Sequence, residues 1–255
     1  MTKLIYRTHL KGTMRTEAEK IEYRITKLFH KGCVEYGLIE DKDRILVALS
    51  GGKDSLMLLR LLARQSRLHK PAIKVEAAHV IMDNIPYETD RSYLVRYCDE
   101  LGVKLHILHT SFEESTDKRK TKCFLCSWNR RKTLFTFASE HGFNKVALGH
   151  HQDDIIITML MNQTFEGSFQ TMPPKLKMEH YPLSLIRPMC LVPESLVKTI
   201  AQLLCFEKQK ALCPYETVTH RATMTELFHK LEEINPEARY SLWNAMKNVH
   251  HELLV

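Results

Sequence analysis

A run of five apolar residues, Ile45 to Leu49, leads directly into Ser50-Gly51-Gly52-Lys53-Asp54-Ser55, and a helical apolar pattern then runs from Ser55 to about Gln65. Continuous apolarity suits a strand covered on both faces, as in a parallel sheet. Two adjacent glycines permit the sharp reversal from strand to helix. The same alternation recurs along the chain. Strands are expected at Lys74–Met82, Lys104–His109, Lys145–Gly149 and Leu185–Met189. Helices are expected at Thr89–Gly102, Ser127–His141, Asp153–Asn162, from Pro193 to about Leu204, Thr223–Ile234 and Pro236–Leu253, with a polar loop over 113–122. About five strand–helix alternations predict an α/β fold with a doubly wound, mainly parallel sheet of about five strands. Ligands of such sheets bind beyond the carboxyl ends of the strands.

The loop at 50–55 has the chemistry of an anion site. Successive amides can form a nest for phosphate oxygens, reinforced by the amino end of the following helix. Lys53 adds positive charge, Ser50 and Ser55 add hydroxyls, and Asp54 suits Mg²⁺, which takes oxygen ligands and bridges phosphates. A tight turn capped by serine would account for the glycines but not for Ser, Lys, Asp and Ser in this order. The spacing matches neither G-x-x-x-x-G-K-[ST] nor G-x-G-x-x-G. A second cluster, Leu148-Gly149-His150-His151-Gln152-Asp153-Asp154, also falls at an expected strand end. Its paired carboxylates suit either Mg²⁺ or a helix cap.

Charge narrows the partners. The chain of 255 residues carries 37 Lys and Arg against 30 Asp and Glu, a net charge of +7. Residues 1–31 hold eight Lys/Arg and three Glu, and residues 118–132 hold seven Lys/Arg and no acid. Within the first block, Ile21, Ile25, Leu28, Phe29 and Cys33 form the apolar side of a helix over 14–33, while Lys20, Arg24, Lys27 and Lys31 fall mostly elsewhere. Two basic blocks point to a polyanion, nucleic acid above all, with solvated surface charge as the plainer alternative. The amino end shows no apolar segment of a secretory signal, and no apolar run reaches the roughly 18 residues of a membrane span. A cytoplasmic protein without membrane contact is expected.

Seven scattered cysteines argue against a disulfide framework and for core thiols plus one metal or redox site. Cys123 and Cys126 form a C-x-x-C where a loop meets a helix, next to Lys122, Arg130, Arg131 and Lys132. Such a pair can hold zinc or an iron–sulfur cluster, or cycle as a dithiol. Cys33, Cys98 and Cys190 read as core thiols, and Cys205 as a further one on an apolar helix.

The loop Ser50–Ser55 resembles that of the PP-loop ATP pyrophosphatases, whose adenine nucleotide alpha hydrolase-like fold fits the alternation. The ordered series S-G-G-K-D-S, C-x-L-C-S with a basic helix, A-L-G-H-H-x-D-D, Met172-Pro173-Pro174-Lys175-Leu176 and Ile186-Arg187-Pro188 resembles the tRNA 2-thiocytidine synthetase (TtcA) family from about Thr16 to Val249. The resemblance implies an ATP-dependent enzyme that adenylates the C2 oxygen of a cytidine, position 32 of the anticodon loop, and replaces it with sulfur. It implies ATP, Mg²⁺ and a [4Fe–4S] cluster as cofactors. Cys123, Cys126 and Cys213 would be the cluster ligands, with Cys205 in reserve. The family carries P-C-x-x-C-G-S-Q near the third ligand; this chain reads Lys210-Ala211-Leu212-Cys213-Pro214-Tyr215-Glu216, so Lys210 replaces the first cysteine and Gly-Ser-Gln is absent.

On the same resemblance, ATP would contact Ser50, Gly51, Gly52, Lys53, Asp54, Ser55, Val80, Met82 and Gly149. Lys53, Asp54 and Arg130 would serve catalysis, and Asp54, Asp153 and Asp154 would hold Mg²⁺. Lys20, Arg24, Lys27, Lys31, Lys122, Arg131 and Lys132 would bind tRNA. The expected organisation is a basic helical segment (1–40), a PP-loop ATP-binding domain (41–192) and a C-terminal helical region (193–255). Expected partners are tRNA and a sulfur donor such as a cysteine desulfurase, with a homodimer as the assembly left open. Three rivals remain: a sulfurtransferase acting on a tRNA uridine, a non-thiolating PP-loop ligase, and a nucleotide-sensing RNA-binding module.

Overall fold

The computed structural model describes residues 16–85, 90–112, 121–207 and 220–253. In chain order they form α1 (Glu17–Glu35), β1 (Arg44–Ala48), α2 (Lys53–Gln65), β2 (Lys74–Met82), α3 (Arg91–Leu101), β3 (Lys104–Thr110), α4 (Lys122–Glu140), β4 (Lys145–Ala147), α5 (Gln152–Phe165), β5 (Lys175–Lys177), β6 (Ser184–Ile186), α6 (Glu194–Leu203), α7 (His220–Ile234) and α8 (Ala238–Ala245), with a 3-10 turn at His251–Leu253. Local chemistry sets several of these ends. Thr16 and Glu19 form a reciprocal capping box at α1. Gly102 ends α3 at φ +66°, a conformation that glycine adopts without a Cβ clash.

The strands form one sheet in the order β3-β2-β1-β4-β6-β5, parallel except for β5, which pairs antiparallel with β6. The expected sheet thus gains a sixth strand. Its three residues are all exposed and lie on the edge, so they carry no apolar signature. β6 ends at Ile186, short of the expected Met189. The amide of Arg187 goes to the carbonyl of Pro174, and Pro188 has no amide to continue a ladder. The last helix is shorter than Pro236–Leu253. α4 begins five residues earlier than expected, because the Thr121 hydroxyl accepts the amide of Phe124 and starts the helix there.

Alternate residues of the central strand feed two cores. Ile45 and Val47 join an apolar cluster with α1, α2, α3, α5 and α6 on one face. Leu46 joins Leu134, Phe135 and Ala138 of α4 on the other. Ile21, Ile25 and Phe29 of α1, Met224 and Phe228 of α7 and Trp243 of α8 belong to the first cluster. The basic, C-terminal and sheet segments therefore share one core.

From β1 the chain moves outward to β2 and β3, then returns to β4 on the other side of β1. The carboxyl ends of β1 and β4 are thus the topological switch point, where connections diverge and open a crevice. The loop at 50–52 leaves β1 there, and the segment at 148–151 leaves β4 there.

Candidate active site

The loop after β1 is held by its own serines. Gly51 takes φ +89°, which a residue with a Cβ rarely adopts. The buried Ser55 hydroxyl donates to the Gly52 carbonyl at 2.9 Å and accepts the Gly51 amide at 3.2 Å, and the Ser50 hydroxyl accepts the Gly52 amide at 3.3 Å. Ser55 thus braces the loop from within, while residues 50–54 line the cavity. Gly52 caps α2 without a side-chain acceptor, which leaves the first amides of the helix to an anion. His79 of β2 fixes the residue before the loop. Burial depresses its pKa, so the neutral ring donates from Nδ1 to the Leu49 carbonyl at 2.8 Å.

Lys53 lies between two carboxylates, with Nζ 2.9 Å from Asp54 Oδ2 and 3.1 Å from Glu194 Oε1. Partial burial works against its charge, but hydrogen bonds and charge from Asp54 and Glu194 outweigh that and raise its pKa. Glu194 also receives Lys198 at 2.9 Å. Its burial would raise its pKa, but Lys198 and Lys53 hold it below the ordinary range. Lys53 is therefore charged and already close to where phosphates would sit. Glu194, Lys198 and His79 were not singled out from the sequence. Glu194 reads there as an ordinary acid in the first turn of a helix.

Gly149 packs the second signature onto the first. A Cβ there would lie 3.1 Å from both the Asp54 carbonyl carbon and the Ser55 nitrogen. The histidines and aspartates that follow act mainly as joints. His151 and Asp154 cap α5 reciprocally, and Asp154 also pairs with Arg221 of α7. Burial and the neighbouring Arg187 push His150 down to about 4, and its neutral ring accepts from Arg187 Nε at 3.3 Å.

Asp153 is buried. It accepts the Glu194 amide at 2.8 Å and Arg239 Nη2 at 2.8 Å, while Arg239 Nη1 lies 2.8 Å from its second oxygen. It anchors α8 to the start of α6, and through Glu194 to Lys53. Asp154 caps α5, the second of the two roles that its sequence position offers, and pairs with Arg221. Asp54 is the carboxylate of the three that lines the cavity. Asp153→Ala should lower stability by about 3 kcal/mol, since Arg239 loses its buried partner, and adding Arg239→Met should recover part of that loss. Burial raises the Asp153 pKa, but Arg239 and the Glu194 amide outweigh it and hold it below 3.8. The contribution is therefore complete above that pH and is lost as pH falls through the lower folded value. Denaturant unfolding without ATP checks both; an unchanged midpoint in Asp153→Ala would refute the anchor.

The cavity, about 1120 Å³, runs from the loop along Ala78, His79 and Val80 to Arg130, Arg131 and Leu134 of α4, and to Lys198, Gln202, Cys205 and Phe206 near the end of α6. Val80 lies where expected. Met82 does not: it is buried with Ile85, Phe112 and Leu125 beyond the cavity. Cys205, expected in the core, is exposed at φ +51° on the cavity wall.

Cys123 and Cys126 sit in the first turn of α4, one exposed and one half-buried, a turn ahead of Arg130 and Arg131. Cys213 lies outside the described residues. Among the described residues no group of three His, Cys, Asp or Glu side chains is placed to hold a metal ion. Burial raises the thiols of Cys33, Cys98 and Cys190, Cys98 to about 11 and Cys190 to about 12, as suits core positions. Lys20, Arg24, Lys27 and Lys31 are exposed on α1, Arg131 and Lys132 on α4, and Lys122 is partly exposed. Because α1 and α4 cover opposite faces of the sheet, the two basic sets do not form one strip, and of the α4 set Arg131 lines the cavity. Among the described residues no helix is long and apolar enough to cross a membrane.

Residues 17–208 match the family model of the PP-loop domain. The chain is 34% identical to the tRNA-cytidine(32) 2-sulfurtransferase of Pseudomonas putida (strain W619) over 93% of this chain and 88% of that one. It is 33% identical to the protein of that name from Ectopseudomonas mendocina (strain ymp), over 94% and 88%. Among solved structures, the U34-tRNA thiolase NcsA from Methanococcus maripaludis, described with its [4Fe–4S] cluster, superposes with a TM-score of 0.76 at 24% identity, covering 91% of this chain and 81% of that one.

Proposed function

The chain belongs to the PP-loop family and groups there with the tRNA-cytidine(32) 2-sulfurtransferases, and from that premise we propose that it is an ATP-dependent tRNA sulfurtransferase making 2-thiocytidine at position 32 of the anticodon loop. The observation that carries this reading is one cavity walled on one side by the loop at 50–54 and on the other by the helix of Cys123 and Cys126.

ATP binds with its phosphates on the free amides at the start of α2, those of residues 53 and 54, and its adenine along the backbone of residues 78–80. Asp54 holds Mg²⁺, and Lys53 shifts from the carboxylates onto phosphate oxygens. The C2 oxygen of the cytidine attacks the α-phosphorus. An oxygen–phosphorus bond forms, the α–β phosphoanhydride breaks, and pyrophosphate leaves with the electron pair. Lys53 and the loop amides offset the charge that develops. Arg130 reaches the same cavity from α4 and steadies the adenylate. Arg131, Lys132 and Lys122 hold RNA phosphates beside the opening, which makes binding salt-dependent. The base must be unstacked to enter, which costs least in a single-stranded loop.

The cysteine pair fits a cluster. Spacing of three residues puts both thiols on one side of a helix, and the positive end of α4 and its arginines suit thiolate ligands. Cys123, Cys126 and Cys213 would hold a [4Fe–4S] cluster, which would supply sulfur to C2; as the carbon–sulfur bond forms, the C2–O bond breaks and AMP leaves with the electron pair. A donor such as a cysteine desulfurase provides that sulfur.

Nucleoside mass spectrometry of tRNA from a thiocytidine-deficient host, with and without this gene, tests the reading. The expected result is new 2-thiocytidine, lost in Cys123→Ala and in Cys213→Ala. New 2-thiouridine instead would move the target base and favour the uridine reading. No new thionucleoside from folded protein would overturn the assignment.

A further inference from the structure

Helix α4 carries an aromatic stripe that runs from the core, past Arg131 on the cavity wall, to the exposed first turns of the helix. Phe124, Trp128, Arg131 and Phe135 follow one another at intervals of four, three and four residues, so they share one side of the helix. At the inner end, Phe135 is buried in the core. Arg131 comes next on the cavity wall. At the outer end, Trp128 is 47% exposed and Phe124 43% exposed. The Lys132 ammonium lies 5.2 Å from the centre of the Trp128 ring. Residues 121–132 contain no acid.

A soluble helix ordinarily turns polar side chains to water. Here two large rings are exposed one turn apart, near cations, on the helix whose next turn, with Arg130 and Arg131, walls the cavity. Flat apolar rings beside positive charge match the two parts of an unpaired nucleotide, a base with a π face and a phosphate. A second copy of this chain would have to bring acids to meet those cations.

We propose that Trp128, extended by Phe124, is a stacking platform for an unpaired tRNA base flanking the nucleotide that enters the cavity, with Arg131 and Lys132 on the adjoining phosphates. This rests on the tRNA reading above and adds a base-binding position to it. Trp128 fixes the strand beside the opening and orients the target base; it takes no part in the chemistry.

Intrinsic fluorescence gives a direct test. The protein has two tryptophans, and Trp243 is only 7% exposed, so Trp128 dominates solvent-sensitive emission. Titration of the full-length protein with tRNA should quench that emission. Trp128→Ala should weaken tRNA binding by about tenfold to a hundredfold. Its salt dependence should be unchanged, since no charge is lost. Trp128→Phe should keep most of the affinity, and circular dichroism of both variants reports folding. Filter binding separates the outcomes. tRNA binding that leaves Trp128 emission and Trp128→Ala affinity unchanged overturns the platform but not the tRNA reading. No tRNA binding at all overturns both. Quenching that grows with protein concentration without RNA assigns the face to a second copy and overturns the platform.

Discussion

Replacing Lys53 with methionine should slow tRNA-dependent pyrophosphate release by about 10²–10³-fold, the usual cost of removing one group aimed at developing charge. The fold should survive, because Lys53 is partly exposed and its contacts are with Asp54 and Glu194 at the cavity, not with the core. The neutral chain leaves those two carboxylates without their shared cation, which raises local repulsion and should shift thermal stability only modestly. Lys53→Arg should recover little, since a planar guanidinium does not reproduce a compact ammonium. Pyrophosphate assays at saturating ATP check this. A rate within a few-fold of the unaltered protein would show that the loop amides and Mg²⁺ suffice, and that Lys53 is a structural tie.

Gly149→Val should reduce pyrophosphate release by about 10²-fold through displacement of the nucleotide loop, the scale expected for a misplacement of about 1 Å. The atoms facing Gly149 are the backbone of Asp54 and Ser55, 3.1 Å from where a Cβ would sit. Backbone cannot rotate aside like a side chain, so the loop itself must shift. Gly149→Ala needs a displacement of only a few tenths of an ångström and should act mainly by raising the KM for ATP. Overpacking of this kind costs about 1–3 kcal/mol of stability. A loss of activity larger than the loss of stability is therefore the discriminating result. Steady-state kinetics beside a thermal unfolding curve decides it, and normal ATP kinetics in the valine variant would remove Gly149 from the site.

Several parts of the site were legible because they are local. The reversal at Gly51, the helix start that follows it and the acid at position 54 are all written in six consecutive residues. Glu194 was not legible. It reaches Lys53 because Asp153 receives its backbone amide and Arg239 anchors Asp153, a chain of contacts joining residues 53, 153, 194 and 239. The helix-cap role of Asp154 was legible because His151 is three residues away, whereas the arginine partners of Asp153 and Asp154 come from α8 and α7 and were not. Met82 has the right position on its strand, yet β2 carries its side chain past the cavity into a small core.

The sequence by itself determined the alternation of strands and helices, the parallel sheet with both faces covered, the phosphate-loop chemistry and the family. These depend on periodicity and on short ordered motifs, which neighbours along the chain settle. The tertiary structure decided which charges meet, which thiol leaves the core and which side of α4 faces the opening. Those are contacts between residues far apart in the chain. They arise because the strand order brings the ends of β1 and β4 together and lets α6 and α8 close over them, and no local pattern encodes that distance.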